Sequence, residues 1–170
     1  GKPSVTDIRT TPGGDPGAML ARAAGLAAQS THPLSQAITA AAVRQRLPIP
    51  GPVTDVVNRP GQGIEGLVAG KRTLLGNAAL LQGAGVELGG LSTIAAEWAA
   101  QGQSVTFVAG DGRALGVMGI TDAIRPTSAG AIRELKAMGI EPVLLSGDRR
   151  ETAELVAHAV GIDRVLADVR

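Results

Sequence analysis

The chain has 170 residues, 44% of them hydrophobic and 18% charged, with a formal net charge of +1. That length fits one ordinary domain or two small ones, and the apolar fraction excludes a disordered chain. Near-neutral charge gives no reason to expect nucleic acid as a partner, and Trp98 and Phe107, the only aromatics, cannot build a stacking platform for single strands. With no cysteine there is no disulfide or thiolate metal site, and with only His32 and His158 as histidines a transition metal would find almost no soft ligands.

Residues 4–10 alternate as a strand should. TPGGDPG at 11–17 is loop chemistry, with Asp15 and Pro16 placed to cap and begin a helix. Met19, Leu20, Ala23, Ala24 and Ala27 then follow helical spacing. STHP at 30–33 breaks that helix, and a second runs from about Pro33 to Arg46. The uncharged run from Ala23 to Val43 is long enough to cross a bilayer, but its polar cluster and Pro33 mark two helices around a turn. No basic segment followed by an apolar one opens the chain, so it is expected to be soluble.

Residues 53–57 read as strand, 61–76 as a twisted hairpin, and short and longer helices begin near Asn77 and Leu91. Residues 104–109 and 113–120 suit a hairpin turning at Asp111–Gly112. The pattern then changes to helix 127–138, a continuous apolar strand at 140–146, helix 149–160 and a short strand at 162–167. Such alternation of helix and buried strand belongs to a parallel sheet. The fold class is therefore α/β in two parts. Residues 1–118 form an antiparallel sheet with flanking helices, and 119–170 form part of a doubly wound parallel domain.

Several stretches can carry chemistry. Acidic residues are missing from Pro16 to Thr54, which suits an anionic ligand or simply an Ala-rich helical pair. His32 precedes Pro33 at the helix break, where a lone histidine can be structural or can meet a ring. Gly61 to Gly66 spell G-x-G-x-x-G, but Pro60 precedes the first Gly and strand follows, so a dinucleotide fingerprint is not expected; the glycines instead allow a tight backbone path. Ser146, Gly147 and Asp148 follow an apolar strand, where open α/β sheets hold ligands, though Asp148 alone could be a helix cap. Asp122 and Arg125 flank the change of pattern, as a surface pair or a hinge.

In order and spacing these stretches resemble the cytoplasmic loop of a heavy-metal P-type ATPase, over essentially the whole chain. THPL at 31–34 is similar to its His-Pro motif. GQGIEG at 61–66 and Gly76–Asn77 resemble its Gly-x-Gly and Gly-Asn elements. DAIRPTSAGAIRELKAMGI at 122–140 resembles the return into its phosphorylation domain, and SGDRRETAELVAHAVGID at 146–163 its Thr-Gly-Asp segment. The resemblance implies an ATP-binding domain over 1–118 and a partial, haloacid-dehalogenase-like phosphorylation domain over 119–170. It implies that His32, Gly61, Gly63, Gly76 and Asn77 hold the adenine end of ATP. Ser146, Gly147 and Asp148 would face the phosphoryl group, and Asp122 and Arg125 would form the hinge. Implied partners are the rest of the phosphorylation domain, the actuator domain and the membrane domain of the same protein, with copper favoured as cargo. Implied cofactors are ATP and Mg²⁺, the ion's ligands falling mostly outside this chain.

The sequence departs from that family in definite places. It contains no Asp-Lys-Thr-Gly-Thr, so the phosphoacceptor is expected outside this chain, by analogy just before Gly1, and the chain alone is not expected to turn over ATP. The family's two glutamates near the His are Thr31 and Ala27 here, which bears on affinity and adenine selectivity, with Gln29 a nearby polar substitute. Ser146 replaces Thr, and Arg149 stands where Asn is common. Two other readings stay open. One is a haloacid-dehalogenase-type phosphatase, although no Asp-x-Asp occurs; the other is a regulatory module that has lost nucleotide binding.

Overall fold

The computed structural model describes residues 2–122 and 126–167. Its larger part is a six-stranded sheet built from β1 (Pro3–Thr10), β2 (Val53–Arg59), β3 (Gly63–Val68), β4 (Lys71–Gly76), β5 (Ser104–Gly110) and β6 (Arg113–Asp122). The strand order is β1-β6-β5-β4-β3-β2, and every neighbouring pair is antiparallel. Helices α1 (Pro16–Ala27) and α2 (Pro33–Arg44) cover one face; α3 (Ala78–Gly83) and α4 (Leu91–Ala100) cover the other.

Period-two alternation of the strands divides the core into two clusters. Val108, Met118 and Ile120 face α1 and α2, while Phe107, Ala109 and Val117 face α3 and α4. On β4 the same alternation sends Leu75 to the first cluster and Leu74 to the second. Both aromatics, Trp98 and Phe107, lie buried in the second cluster. Helix α1 begins as the sequence suggests: the Asp15 carboxylate accepts from Gly17 N at 2.9 Å and from Ala18 N at 3.4 Å, and Pro16 needs no donor at that position. Its small residues let it lie close against both α2 and the sheet, so Ala23, Ala24 and Ala27 are all buried.

The smaller part contains α5 (Pro126–Ala137), β7 (Val143–Leu145), α6 (Arg150–Val160) and β8 (Arg164–Leu166), with β7 and β8 paired in parallel. Helix α6 buries Ala153, Ala157 and Val160 on one face. Lys136 Nζ reaches Asp163 Oδ2 at 2.8 Å, tying α5 to the turn after α6. The expectation of a buried apolar strand over 140–146 is corrected in two ways. The strand is only three residues long, and Leu145 is 65% exposed. A parallel pair needs cover on both faces, and two strands with two helices cannot supply it. Strand β6 continues to Asp122, so residues 119–122 lie in the six-stranded sheet.

Candidate functional site

Helix α2 starts at His32. Its imidazole Nδ1 accepts from Leu34 N at 3.2 Å, and its own N–H donates to Ser30 Oγ at 3.1 Å. Because Nδ1 is an acceptor, the neutral ring carries its proton on Nε2, which leaves one donor free of the cap. His32 is thus both a helix cap and a ring with an available N–H.

Opposite α2, the turn between β2 and β3 is built by Pro60 and Gly61. Gln62 N donates to Arg59 O at 2.9 Å, and Gly61 has φ +74. Proline followed by a residue at positive φ is the signature of a type II turn, which explains that Pro-Gly pair without any nucleotide. Gly63 follows with φ +146 and lies directly across from Gly76 in the β3–β4 register. A side chain on Gly63 would overlap the Leu75 carbonyl oxygen and come within 2.6 Å of Gly76 Cα. Bare backbone is therefore required here by sheet packing. Asn77 locks the two elements together: its Nδ2 donates to Gly61 O at 2.8 Å, its Oδ1 accepts from Leu80 N at 3.1 Å as the cap of α3, and its N–H donates to Gln62 O at 2.8 Å.

These elements enclose a cleft of about 400 Å³ on the α1–α2 face of the sheet. His32, Gly61, Gly63, Gly76 and Asn77 all line it, so the structure brings together five residues that the sequence separates by up to 45 positions. Leu34, Ile38, Ile64 and Leu75 supply apolar walls. Behind the Pro60–Gly61 turn, Glu65 accepts from Arg59 Nη2 at 2.8 Å and lies 3.5 Å from Arg72 Nη2. The hydrogen bond from Arg59 holds the Glu65 carboxyl below its ordinary value of 4.5; burial opposes this, and the charges of Arg59 and Arg72 reinforce it. The ion pairs thereby join β2, β3 and β4 beside the cleft. Among the described residues no carboxylate lines the cleft.

The second group of sequence-predicted residues lies next to the first. Ser146 Oγ donates to Asp148 Oδ2 at 3.2 Å and accepts from Asp148 N at 3.1 Å, closing a tight turn after β7. Asp148 does not cap α6; Arg149 occupies the cap position, without a side-chain bond. Gly147 and Asp148 line a depression of about 630 Å³ with Asp122, Gln103 and His32, so His32 borders both this depression and the cleft. Asp122 is the exposed last residue of β6, and Arg125 lies outside the described residues. Among the described residues no group of three His, Cys, Asp or Glu side chains could hold a metal ion, so the residues present do not by themselves make a Mg²⁺ site. No described helix is long and apolar enough to cross a membrane.

Two features belong elsewhere. Arg22, from the acid-free stretch, donates to Thr73 Oγ1 at 2.8 Å and to Arg72 O at 2.7 Å and pairs with Asp111, so it braces the sheet away from the cleft. A larger open depression of about 790 Å³ near Arg9 and Arg113 gathers none of the sequence-predicted site residues. Sequence reasoning missed Ser35 and Thr106 in the cleft. Ser35 is three residues after His32 on α2, a spacing that could have pointed to it; Thr106 comes from β5, and nothing in the sequence links it to α2.

The model of the haloacid dehalogenase-like hydrolases matches residues 1–170. The chain belongs to that family. Within the family, its curated relatives bear out the resemblance to heavy-metal P-type ATPases. It is 37% identical over 171 residues to a probable copper-transporting ATPase of Synechococcus elongatus, covering all of this chain and 23% of the relative. It is 36% identical to a copper-transporting P-type ATPase of Rhizobium leguminosarum, covering 99% of this chain and 20% of that one. This member of the hydrolase family thus spans between a fifth and a quarter of the length of these relatives. Among solved structures it is similar to a zinc-transporting PIB-type ATPase in its E2.Pi state, with a TM-score of 0.84 and 32% identity over 99% of this chain and 27% of the other.

Proposed function

We propose that the chain is the ATP-binding cytoplasmic part of a heavy-metal cation-transporting P-type ATPase, with copper as its cargo. The observation that carries this reading is the gathering of His32, Gly61, Gly63, Gly76 and Asn77 around one cleft. Aliphatic walls on both sides suit a planar base, and the Nε2–H of His32 suits one of its acceptors. The depression beside His32 leads to Ser146, Gly147 and Asp148, which would face the phosphoryl end of the nucleotide. Copper is favoured because the curated relatives quoted above are named for it.

In this reading the chain positions ATP for an aspartate elsewhere in the parent protein. The carboxylate attacks the γ-phosphorus, the bond to the bridging oxygen breaks, ADP leaves, and water later hydrolyses the aspartyl phosphate. Mg²⁺ would enter with ATP, its ligands coming mostly from the remainder of the parent protein. We assign residues up to Asp122 to the ATP-binding domain, because β6 runs that far, and the rest to a partial phosphorylation domain. The connection at Asp122 and Arg125 would be the hinge. The exposed Val143, Leu145 and Leu166 support a phosphorylation domain with further strands and helices, since parallel strands are ordinarily covered on both faces.

Calorimetric titration with ATP, ADP and AMP tests the reading. All three are expected to bind through the base, and His32→Ala is expected to weaken ATP by about tenfold, the loss of one oriented donor and its ring contact. A folded wild-type chain that binds none of them overturns it.

A further inference from the structure

We infer that Ser35 and Thr106 are the base-reading residues of the cleft and that it accepts 6-amino and 6-oxo purines alike. This rests on the nucleotide reading above and names what sets its specificity. Ser35 is 8% exposed on α2 and Thr106 is 7% exposed on β5, and both line the cleft. Neither hydroxyl forms a hydrogen bond among the described residues. No buried side-chain polar atom among the described residues lacks a partner, so these hydroxyls stay open to the cleft, where a ligand can take the place of water as their partner.

The chemistry of a hydroxyl then determines what is recognised. A carboxylate only accepts, so it would favour an exocyclic amine and reject a carbonyl. Among the described residues no carboxylate lines this cleft. A hydroxyl rotor can accept from an amine or donate to a carbonyl or a ring nitrogen, at equal geometric cost. The other polar side chains along the cleft include the amides of Asn58 and Gln62, which also carry both a donor and an acceptor. Two groups along the cleft are donors of fixed sign: the His32 Nε2–H, which has a ring-nitrogen acceptor in either kind of purine, and the Arg59 guanidinium, whose Nη2 is already engaged by Glu65 at 2.8 Å. Strong discrimination needs a buried group that the wrong ligand leaves unpaired, and groups of this kind are paired by both.

The test is calorimetric titration of the 170-residue chain with ATP and with ITP, which differ at the purine 6-position. The wild type is expected to bind them within about threefold of each other. Ser35→Ala and Thr106→Val are each expected to weaken both nucleotides about fivefold, while Thr106→Ser keeps wild-type affinity. A preference of the wild type for ATP beyond about tenfold overturns the inference, as does unchanged binding by both hydroxyl-free variants. Circular dichroism and melting establish that each variant is folded. If Thr106→Val is not, Ser35→Ala and the wild-type ratio decide. Binding that ignores the two hydroxyls overturns only this inference, whereas a folded wild type that binds neither nucleotide overturns the ATP reading with it.

Discussion

The six-stranded part and the two-stranded part use similar residues to opposite effect. In the first, Leu20, Leu26, Leu74 and Leu81 are almost completely buried; in the second, Val143, Leu145 and Leu166 are between 42% and 65% exposed. The difference comes from topology. Antiparallel neighbours such as β3–β4 and β5–β6 are joined by tight turns, so each strand finds its partner nearby, and helices close both faces. Parallel strands need crossovers and cover on both sides, so an apolar parallel strand depends on distant sequence for burial. The first part therefore completes its own core, and the second leaves apolar strand residues exposed.

The sharpest way to break that comparison is to truncate a leucine in each part. Leu20→Ala removes a fully buried side chain and is expected to cost about 3 kcal/mol in urea unfolding. Leu145→Ala is expected to change stability by less than about 0.5 kcal/mol. An equal cost at Leu145 would mean that β7 is covered in solution, and the contrast between the two parts would disappear.

A smaller effect sharpens the comparison within the sheet. Gly63→Ala places a Cβ against the Leu75 carbonyl at a backbone angle that other residues rarely adopt, and is expected to cost about 2 kcal/mol. Because the same backbone lines the cleft, ATP affinity should fall with stability. A variant as stable as wild type that still binds ATP would remove the packing argument for this glycine.

The smallest effect is electrostatic. Glu65 is held below its ordinary value of 4.5 in the fold, so its contribution is fully present above that pH and is lost as pH falls through the lower folded value. Glu65→Gln should cost about 0.5 kcal/mol at pH 7. The difference between wild type and variant should stay level from neutral pH down to 4.5 and shrink below it. A difference that keeps its full size throughout the acid range would remove the ion pairs from the account.

Much of this was legible in the chain because local chemistry carried it. Asp15–Pro16 announced a helix start, and the cap is there. Asp111–Gly112 announced a hairpin turn, and β5 and β6 meet across it. The motif order around His32, Gly61 and Gly76 pointed to a single site before any fold was known. Other features were not fixed by residue type and position alone. Asp148 had the right residue type and place for a cap, yet its N–H instead donates back to Ser146 Oγ, and Ser146 N–H donates to Leu166 O, giving the turn another use for its polar groups. The apolar run at 140–146 promised burial that two strands and two helices do not provide.

Residue order alone determined the elements, their caps and turns, and the types of residue available for binding, because each depends on neighbours within a few positions. Tertiary structure alone decided that Ser35 from α2 and Thr106 from β5 share one cleft, and that no carboxylate among the described residues lines it. Those facts depend on strand order and on α2 packing over the sheet, through contacts between residues far apart in the chain, which no local pattern encodes.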